Sequence, residues 1–371
     1  MKNFTPFFFL LTSLLVLTGL QAQPGVYLLT EDRYLDPSEF EEYLPEDFTF
    51  FNRATPLKME LISDFKNLVR RKYDEEYQEA LLNVKISDEV EFRHNIRIKP
   101  RGNFRLKNCS NPPIMLNFKK GEFPLENLKN LDKIKLVNTC ADGNRYEEYL
   151  LKEYLAYRMY NMITENSFQV CFVKIDFVDT GKNEKVNTSY GFLIEDGDAM
   201  AERLGMQYLG GKAILPENTE PFHAAELAVF QYMIGNTDWS IKGKHNTKVL
   251  AEEFEDGSIE LYAVPYDFDY SGLVNAPYAV PPEFLEIEKV TERLFRSYCS
   301  TDEEFDAAFA KLQELRPDFY TLIDNFEYLP ENERKKIKSY LKDFYDILES
   351  PRKIKATIKS ECRPRESSSK G

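Results

Sequence analysis

Three observations predict an α+β chain in two lobes. Strand-like alternation dominates residues 57 to about 196, broken by a single strongly periodic helix. Helical periodicity takes over from there, broken by one small hairpin, and no internal repeat interrupts either half. The 371 residues suffice for one large two-lobed domain. A hydrophobic share of 43% with 28 Phe and 22 Tyr excludes disordered and collagen-like classes. The net charge of -14 argues against a general nucleic-acid binder, because it repels phosphate backbones. With only three His, the chain is poor in the usual ligands of catalytic zinc.

The first 22 residues read as a secretory signal. Lys2 is followed by an apolar run from Phe7 to Leu20 and a small residue, Ala22, after which cleavage is expected. An uncleaved membrane anchor is the alternative, although the run is short for a span. No long apolar run follows, so no transmembrane segment is expected after cleavage, and the destination is the periplasm, the outer surface or the medium. Residues 23–56 are acidic, aromatic and turn-rich and are expected to form an irregular segment, and 363–371 a polar tail. The sheet-rich lobe is placed at 57–196 and the helical lobe at 197–362.

Within the first lobe, alternation places strands at 58–61, 80–86, 91–99, 113–118, 133–138, 168–179 and 188–195, to be joined in an antiparallel sheet. Asp64 is a plausible N-cap for a helix over 65–71, and the apolar period predicts the long helix over 146–163. In the second lobe, helices are expected at 197–204, 222–234, 283–298, 302–325 and 331–349, with a hairpin at 247–251 and 258–264. Export permits disulfides. Cys109 and Cys140 flank two strands of one region and Cys299 and Cys362 flank the C-terminal helices, so these pairs are predicted. Cys171, in an apolar strand, reads as a buried free thiol. With no CxxC, metal ligation by cysteine is not expected.

Unusual residues concentrate after apolar elements in the second lobe: Gly235-Asn-Thr-Asp-Trp-Ser240, then Asn246, then Tyr266-Asp-Phe-Asp269. An Asp, an amide and a further carboxylate pair are the hard oxygen donors that Mg²⁺ prefers beside substrate phosphates. Phosphoryl transfer also requires a strand Lys near the phosphates and a helix Glu to pair with it. Lys133 and Lys135 lie on a predicted strand and Glu153 on the helix after it. Taken singly, Asp238 could simply cap a turn, Lys133 and Lys135 could line a solvated strand face, and Glu153 could be one of several exposed helix acids. His245 is read as a loop hydrogen bonder.

Together, Ile98-Lys-Pro-Arg-Gly-Asn-Phe104, Tyr190-Gly-Phe-Leu-Ile-Glu195, the Asp238-Trp239 loop with Asn246, and Asp267-Phe-Asp269 resemble the spore-coat CotH-type family of atypical secretory kinases. The likeness is to a secreted branch with paired cysteines associated with Bacteroidetes-type bacteria, and it covers roughly residues 57–350. The resemblance implies a two-lobed kinase-like fold with an antiparallel-sheet N-lobe and a mainly helical C-lobe. It further implies ATP with Mg²⁺ or Mn²⁺ as cofactors and transfer of the γ-phosphate to a hydroxyl of a protein or other envelope substrate. Arg101, Gly102 and Asn103 would cover the phosphates, and Glu195 would border the adenine. Asp238 would orient the acceptor, and Asn246, Asp267 and Asp269 would hold metal. The chain departs from the protein-kinase pattern in its longer Asp238 to Asn246 gap and in lacking GxGxxG. The alternatives are a non-catalytic envelope scaffold of the same build and, more weakly, a metal-dependent hydrolase.

Overall fold

The computed structural model describes residues 26–29, 33–35, 39–123, 125–210 and 214–364; the signal segment with its cleavage point and most of the polar tail lie outside the described residues. In chain order the strands of the first half are β1 (Val26–Leu29), β2 (Arg33–Leu35), β3 (Leu57–Ser63), β4 (Gln78–Lys85), β5 (Val90–Pro100), β6 (Ile114–Asn117), β7 (Lys133–Val137), β8 (Val170–Asp179) and β9 (Lys185–Ile194). Helices α1 (Phe65–Arg70), α2 (Phe104–Asn108) and α3 (Asn144–Ile163) lie between them. The second half carries α4 (Gly197–Leu204), β10 (Gln207–Gly210), α5 (Pro221–Met233), β11 (Thr247–Glu253), β12 (Ile259–Pro265), α6 (Asp302–Glu314), α7 (Arg316–Asp324), α8 (Glu331–Leu348) and α9 (Pro351–Ile354).

The strands of the first half close into a seven-stranded barrel, which corrects the expected fold. Hydrogen bonding runs β5-β4-β3-β8-β9-β7-β6, and β6 pairs back onto β5. The barrel is not purely antiparallel, since β3 and β8 run parallel in register from Leu57 with Val173 to Ser63 with Asp179. The kinase-like arrangement of an antiparallel-sheet lobe followed by a helical lobe is therefore not this molecule's architecture. Local alternation reveals strands but not whether the last one returns to the first, because closure depends on tilt and register across the whole sheet. The segment 23–56, expected to be irregular, contributes β1 and β2, with β1 antiparallel to β5. The second half holds its own antiparallel sheet, β10-β11-β12.

Two hydrophobic cores follow from the pleat. On β8, Cys171, Val173 and Ile175 point into the barrel with Leu61, Leu82, Leu116, Ile134 and Leu136. Their neighbours Val170 and Phe172 point outward to a second core shared with α3 and the helices of the other half. Small barrels are filled by such alternating side chains. Helix α3 is buried on nearly every side from Tyr149 to Tyr160, including Lys152 and Glu153. Such burial marks a helix sandwiched between layers rather than one covering a surface. Lys152 donates to Glu333 of α8 at 2.5 Å, both side chains below a tenth exposed.

Local signals were legible elsewhere. Asp64 caps α1 by accepting from the Asn67 N–H at 2.7 Å. Thr301 and Glu304 form a capping box at α6. Both disulfides are as expected, Cys109–Cys140 and Cys299–Cys362, with Cys171 free and buried. The expected helix over 302–325 breaks into α6 and α7 at Leu315, where Pro317 starts a new helix. The expected helix over 283–298 is absent, and turns run there instead. Its residues are held individually: Val290 and Phe295 are buried, and the Arg293 guanidinium stacks 3.7 Å from the Tyr340 ring centroid while donating to the Met233 carbonyl. Tertiary contacts override the helical period. Among the described residues no helix is long and apolar enough to cross a membrane.

Candidate functional site

The carboxylates come from two loops of the second half. Helix α5 ends at Met233 and the chain leaves it through Gly235, whose φ of +66° is left-handed and where a Cβ would sit 2.0 Å from the Tyr340 hydroxyl, so this exit favours glycine. Asn236 then accepts from the Asp238 N–H at 2.9 Å, an Asx turn that presents Asp238. The eight-residue step from Asp238 to Asn246 is bridged because Ser240 and His245 exchange backbone hydrogen bonds, both 2.9 Å, folding the intervening loop back on itself. Asn246, at a left-handed φ of 50°, donates through Nδ2 to the Asp238 carbonyl at 2.8 Å and to Asp238 Oδ2 at 3.0 Å. Its Oδ1 is thereby left for another partner. His245 Nε2 lies 2.8 Å from Asp238 Oδ1.

The Asn246 carbonyl accepts from the Tyr266 N–H at 3.0 Å, which ties this loop to the exit of β12. Asp267 follows with an exposed side chain and φ of +65°, a costly conformation for a residue with a Cβ. Its N–H donates to the Tyr157 hydroxyl of α3 at 2.8 Å. Asp269 is buried and accepts from Tyr278 at 2.9 Å. Burial, and then the charge of Asp267, push the Asp269 carboxyl up to about 7. Glu153, buried on α3, is raised well above the usual carboxylate range by burial and by Asp269 and Asp267, against the pull of Arg105 and Arg101. The cluster thus holds more carboxylate than its neighbours neutralise.

The cations come largely from the barrel. Gly102, at φ +88°, turns the chain out of β5 so that Arg101 precedes and Arg105 lies within the short helix α2. Cys109–Cys140 fastens the end of α2 beside β7, and the Phe104 ring meets Tyr270 and Tyr278 at 5.7 and 5.6 Å. Arg105 donates to the Asn138 carbonyl. Arg101 Nε is sealed from solvent without a hydrogen-bond partner, and burial lowers the guanidinium's basicity while Asp267 supports it. Lys135 is pushed down to about 8, by burial first and then by the charges of Arg101 and Lys248. Its ammonium lies over Phe168 and Tyr266, 5.7 and 5.1 Å from the centroids, and Lys248 lies 5.2 Å from the same Tyr266 ring. Three cations therefore crowd one another beside the exposed Asp267.

Of the residues expected from sequence, Arg101, Lys135, Glu153, Asp238, Asn246, Asp267 and Asp269 are brought into one seam between the two cores. Gly102 and Asn103 are exposed at its edge. Glu153 does not pair with Lys135 as the kinase logic requires; it faces Arg101 and Arg105. Lys133 stays outside, exposed and paired with Asp132 at 3.2 Å. Glu195 is engaged by Arg203 at 2.9 and 3.0 Å and by the Gln169 N–H, so it acts as a structural brace near the seam. Arg105, Lys248 and Tyr157 were missed. Arg105 follows Arg101 by one helical turn and Lys248 follows Asn246 by one strand repeat, spacings that could have flagged them; nothing in the sequence marks Tyr157.

Among the described residues no three His, Cys, Asp or Glu side chains stand together as a metal cage. Asp267, Asp269 and Asn246 carry carboxylate and amide oxygens, hard donors of the type a divalent cation takes beside phosphate oxygens. The excess negative charge raising Asp269 is the kind a cation relieves. No protein-family model matches the chain, and no curated protein matches it.

Proposed function

We propose that this is an exported phosphotransferase that takes the γ-phosphate of ATP and passes it to a hydroxyl of a protein or other envelope substrate, in the manner the CotH-type resemblance implies. The observation that carries the reading is the pairing of opposites in one seam. Arg101, Lys135 and Lys248 crowd like charges together, with no carboxylate among the described residues in ion-pair contact with Lys135, while Asp267, Asp269 and Glu153 crowd carboxylates. Phosphate oxygens relieve the first crowding and a divalent cation relieves the second, and a nucleotide complexed with metal brings both.

Asp267, Asp269 and the Asn246 Oδ1 are the groups that would hold Mg²⁺ or Mn²⁺, whose charge offsets that of the phosphates in transfer. Arg101 and Lys135 would bind and orient the phosphates, and the Tyr157 hydroxyl keeps the Asp267 backbone in place. Asp238, held by Asn246 and His245, would accept the proton of the acceptor hydroxyl as its oxygen bonds to phosphorus and the bond to the departing ADP oxygen breaks. Catalysis would rest on positioning and charge neutralisation. The disulfides support an oxidising, exported setting.

The test is a thermal-shift series of the mature chain with ATP and Mn²⁺, followed by incubation with γ-labelled ATP. A shift that needs both components, with label transferred to a hydroxyl, is expected. No shift with ATP and Mn²⁺ together overturns the reading and leaves a binding scaffold.

A further inference from the structure

We infer that a basic pocket on the far side of Asp238 binds an acidic acceptor segment, so that the preferred hydroxyl is flanked by carboxylates. This rests on the reading of Asp238 as the group that meets the acceptor. A cavity of about 200 Å³ opens directly beside the Asp238-Trp239 loop, bordered by Trp239, Ser240, Lys242, Arg296, Tyr298 and Arg363. No carboxylate is among the described residues that border it, on a chain whose net charge is -14. Among the described residues the charged side chains that border it are cationic, led by Arg296 and Arg363, and such a patch on an acidic chain selects anions by contrast as well as by contact.

The pocket is built, not incidental. Arg296 donates to the carbonyl of Thr237, the residue before Asp238, and so joins pocket and acceptor loop. Arg363 is brought in from the C-terminal end: its backbone N–H donates to Ser297 at 2.9 Å and its carbonyl accepts from Cys299 at 2.8 Å. Cys299–Cys362 locks that strand-like pairing covalently. The Arg363 guanidinium donates to the Arg296 carbonyl at 3.3 Å and lies 5.9 Å from the Tyr298 ring centroid, on an exposed residue. Burial and the neighbouring Arg363 lower the basicity of Arg296, while Asp238 supports it. The second disulfide thus does for the acceptor side what the first does for the phosphate side.

The chain's single Trp, Trp239, reports on the pocket without any need for transfer. The mature chain is titrated with Glu-Glu-Ser-Glu-Glu, Gly-Gly-Ser-Gly-Gly and Lys-Lys-Ser-Lys-Lys while Trp239 emission is followed. The acidic peptide is expected to bind about tenfold more tightly than the neutral one, an advantage that 0.5 M salt removes. R363Q, at an exposed position, should weaken acidic-peptide binding roughly fivefold and keep the ATP–Mn²⁺ thermal shift; R296Q should do the same or more. Equal responses to the three peptides, or R363Q binding as tightly as the parent, overturns the pocket. An emission response without label transfer removes the transferase reading and keeps the pocket. Transfer to all three peptides at equal rates does the reverse.

Discussion

The barrel half and the helical half meet at the seam with opposite charges. The barrel brings Arg101 and Lys135, together with Arg105 on α2, whereas the loops after α5 and β12 bring Asp238, Asp267 and Asp269. Each half has its own hydrophobic core, with β8 and β9 showing alternate residues to one and to the other. Within the seam the two signs of charge come mostly from different halves; Lys248 from β11 and Glu153 from α3 are the exceptions. A site of this kind is legible only as a contact between two separately packed bodies. Two cores also give each half a scaffold stiff enough to hold like charges close together, a cost that packing elsewhere must offset.

The contrast is broken most severely at its acidic side. Asp267→Ala should lower label transfer by about 10³-fold, since under the proposed function it would remove both a metal donor and the counter-charge to Arg101; near-normal turnover of that variant would place the chemistry elsewhere. On the basic side, Lys135→Met should weaken ATP binding by about tenfold in a calorimetric titration. The parent protein adds a pH signature. With its amine at about 8, Lys135 loses its charge as pH rises through 8, so nucleotide binding should fall there. Stability should move the other way. Between pH 8 and the ordinary lysine value of 10.5, the unfolded chain binds a proton that the folded chain does not, so folding gains as pH rises. Lys135→Met should flatten both slopes, and unchanged slopes would remove Lys135 from the seam.

The disulfides separate the two sides. Replacing Cys109 and Cys140 by Ser, or Cys299 and Cys362 by Ser, should each cost about 4 kcal/mol in denaturant unfolding by the chain-entropy relation, for separations of 31 and 63 residues. Only the first should also weaken ATP binding, because only it fastens the Arg101 turn, and equal losses of ATP binding in both would dissolve the distinction. The smallest effect is expected at Lys133→Ala. Its exposed pair with Asp132 is worth less than about 1 kcal/mol, and ATP affinity should stay within about twofold, in contrast to Lys135 two residues away.

Much of this molecule was written in its sequence. Local rules sufficed for the Asp64 cap, the long buried helix α3, the two disulfides and the free Cys171 in the barrel interior. Residue chemistry singled out Asp238, Asn246 and Asp267, and the family resemblance added Arg101. Other features were invisible because they depend on what lies across space. The barrel closes through β5 and β6, and β3 pairs in parallel with β8 about a hundred residues on, a non-local choice that no window of sequence contains. The period over 283–298 is helical, yet the Arg293 guanidinium and the burial of Val290 and Phe295 hold the segment as turns. Lys133 and Lys135 share one face of β7, and only the neighbours decide between them: Asp132 claims the first, while Arg101 and Lys248 crowd the second. Sequence by itself determined which groups were available and how the chain behaves over one or two turns. Tertiary structure decided which of them met, because charge crowding, closure and burial are properties of pairs far apart in the chain.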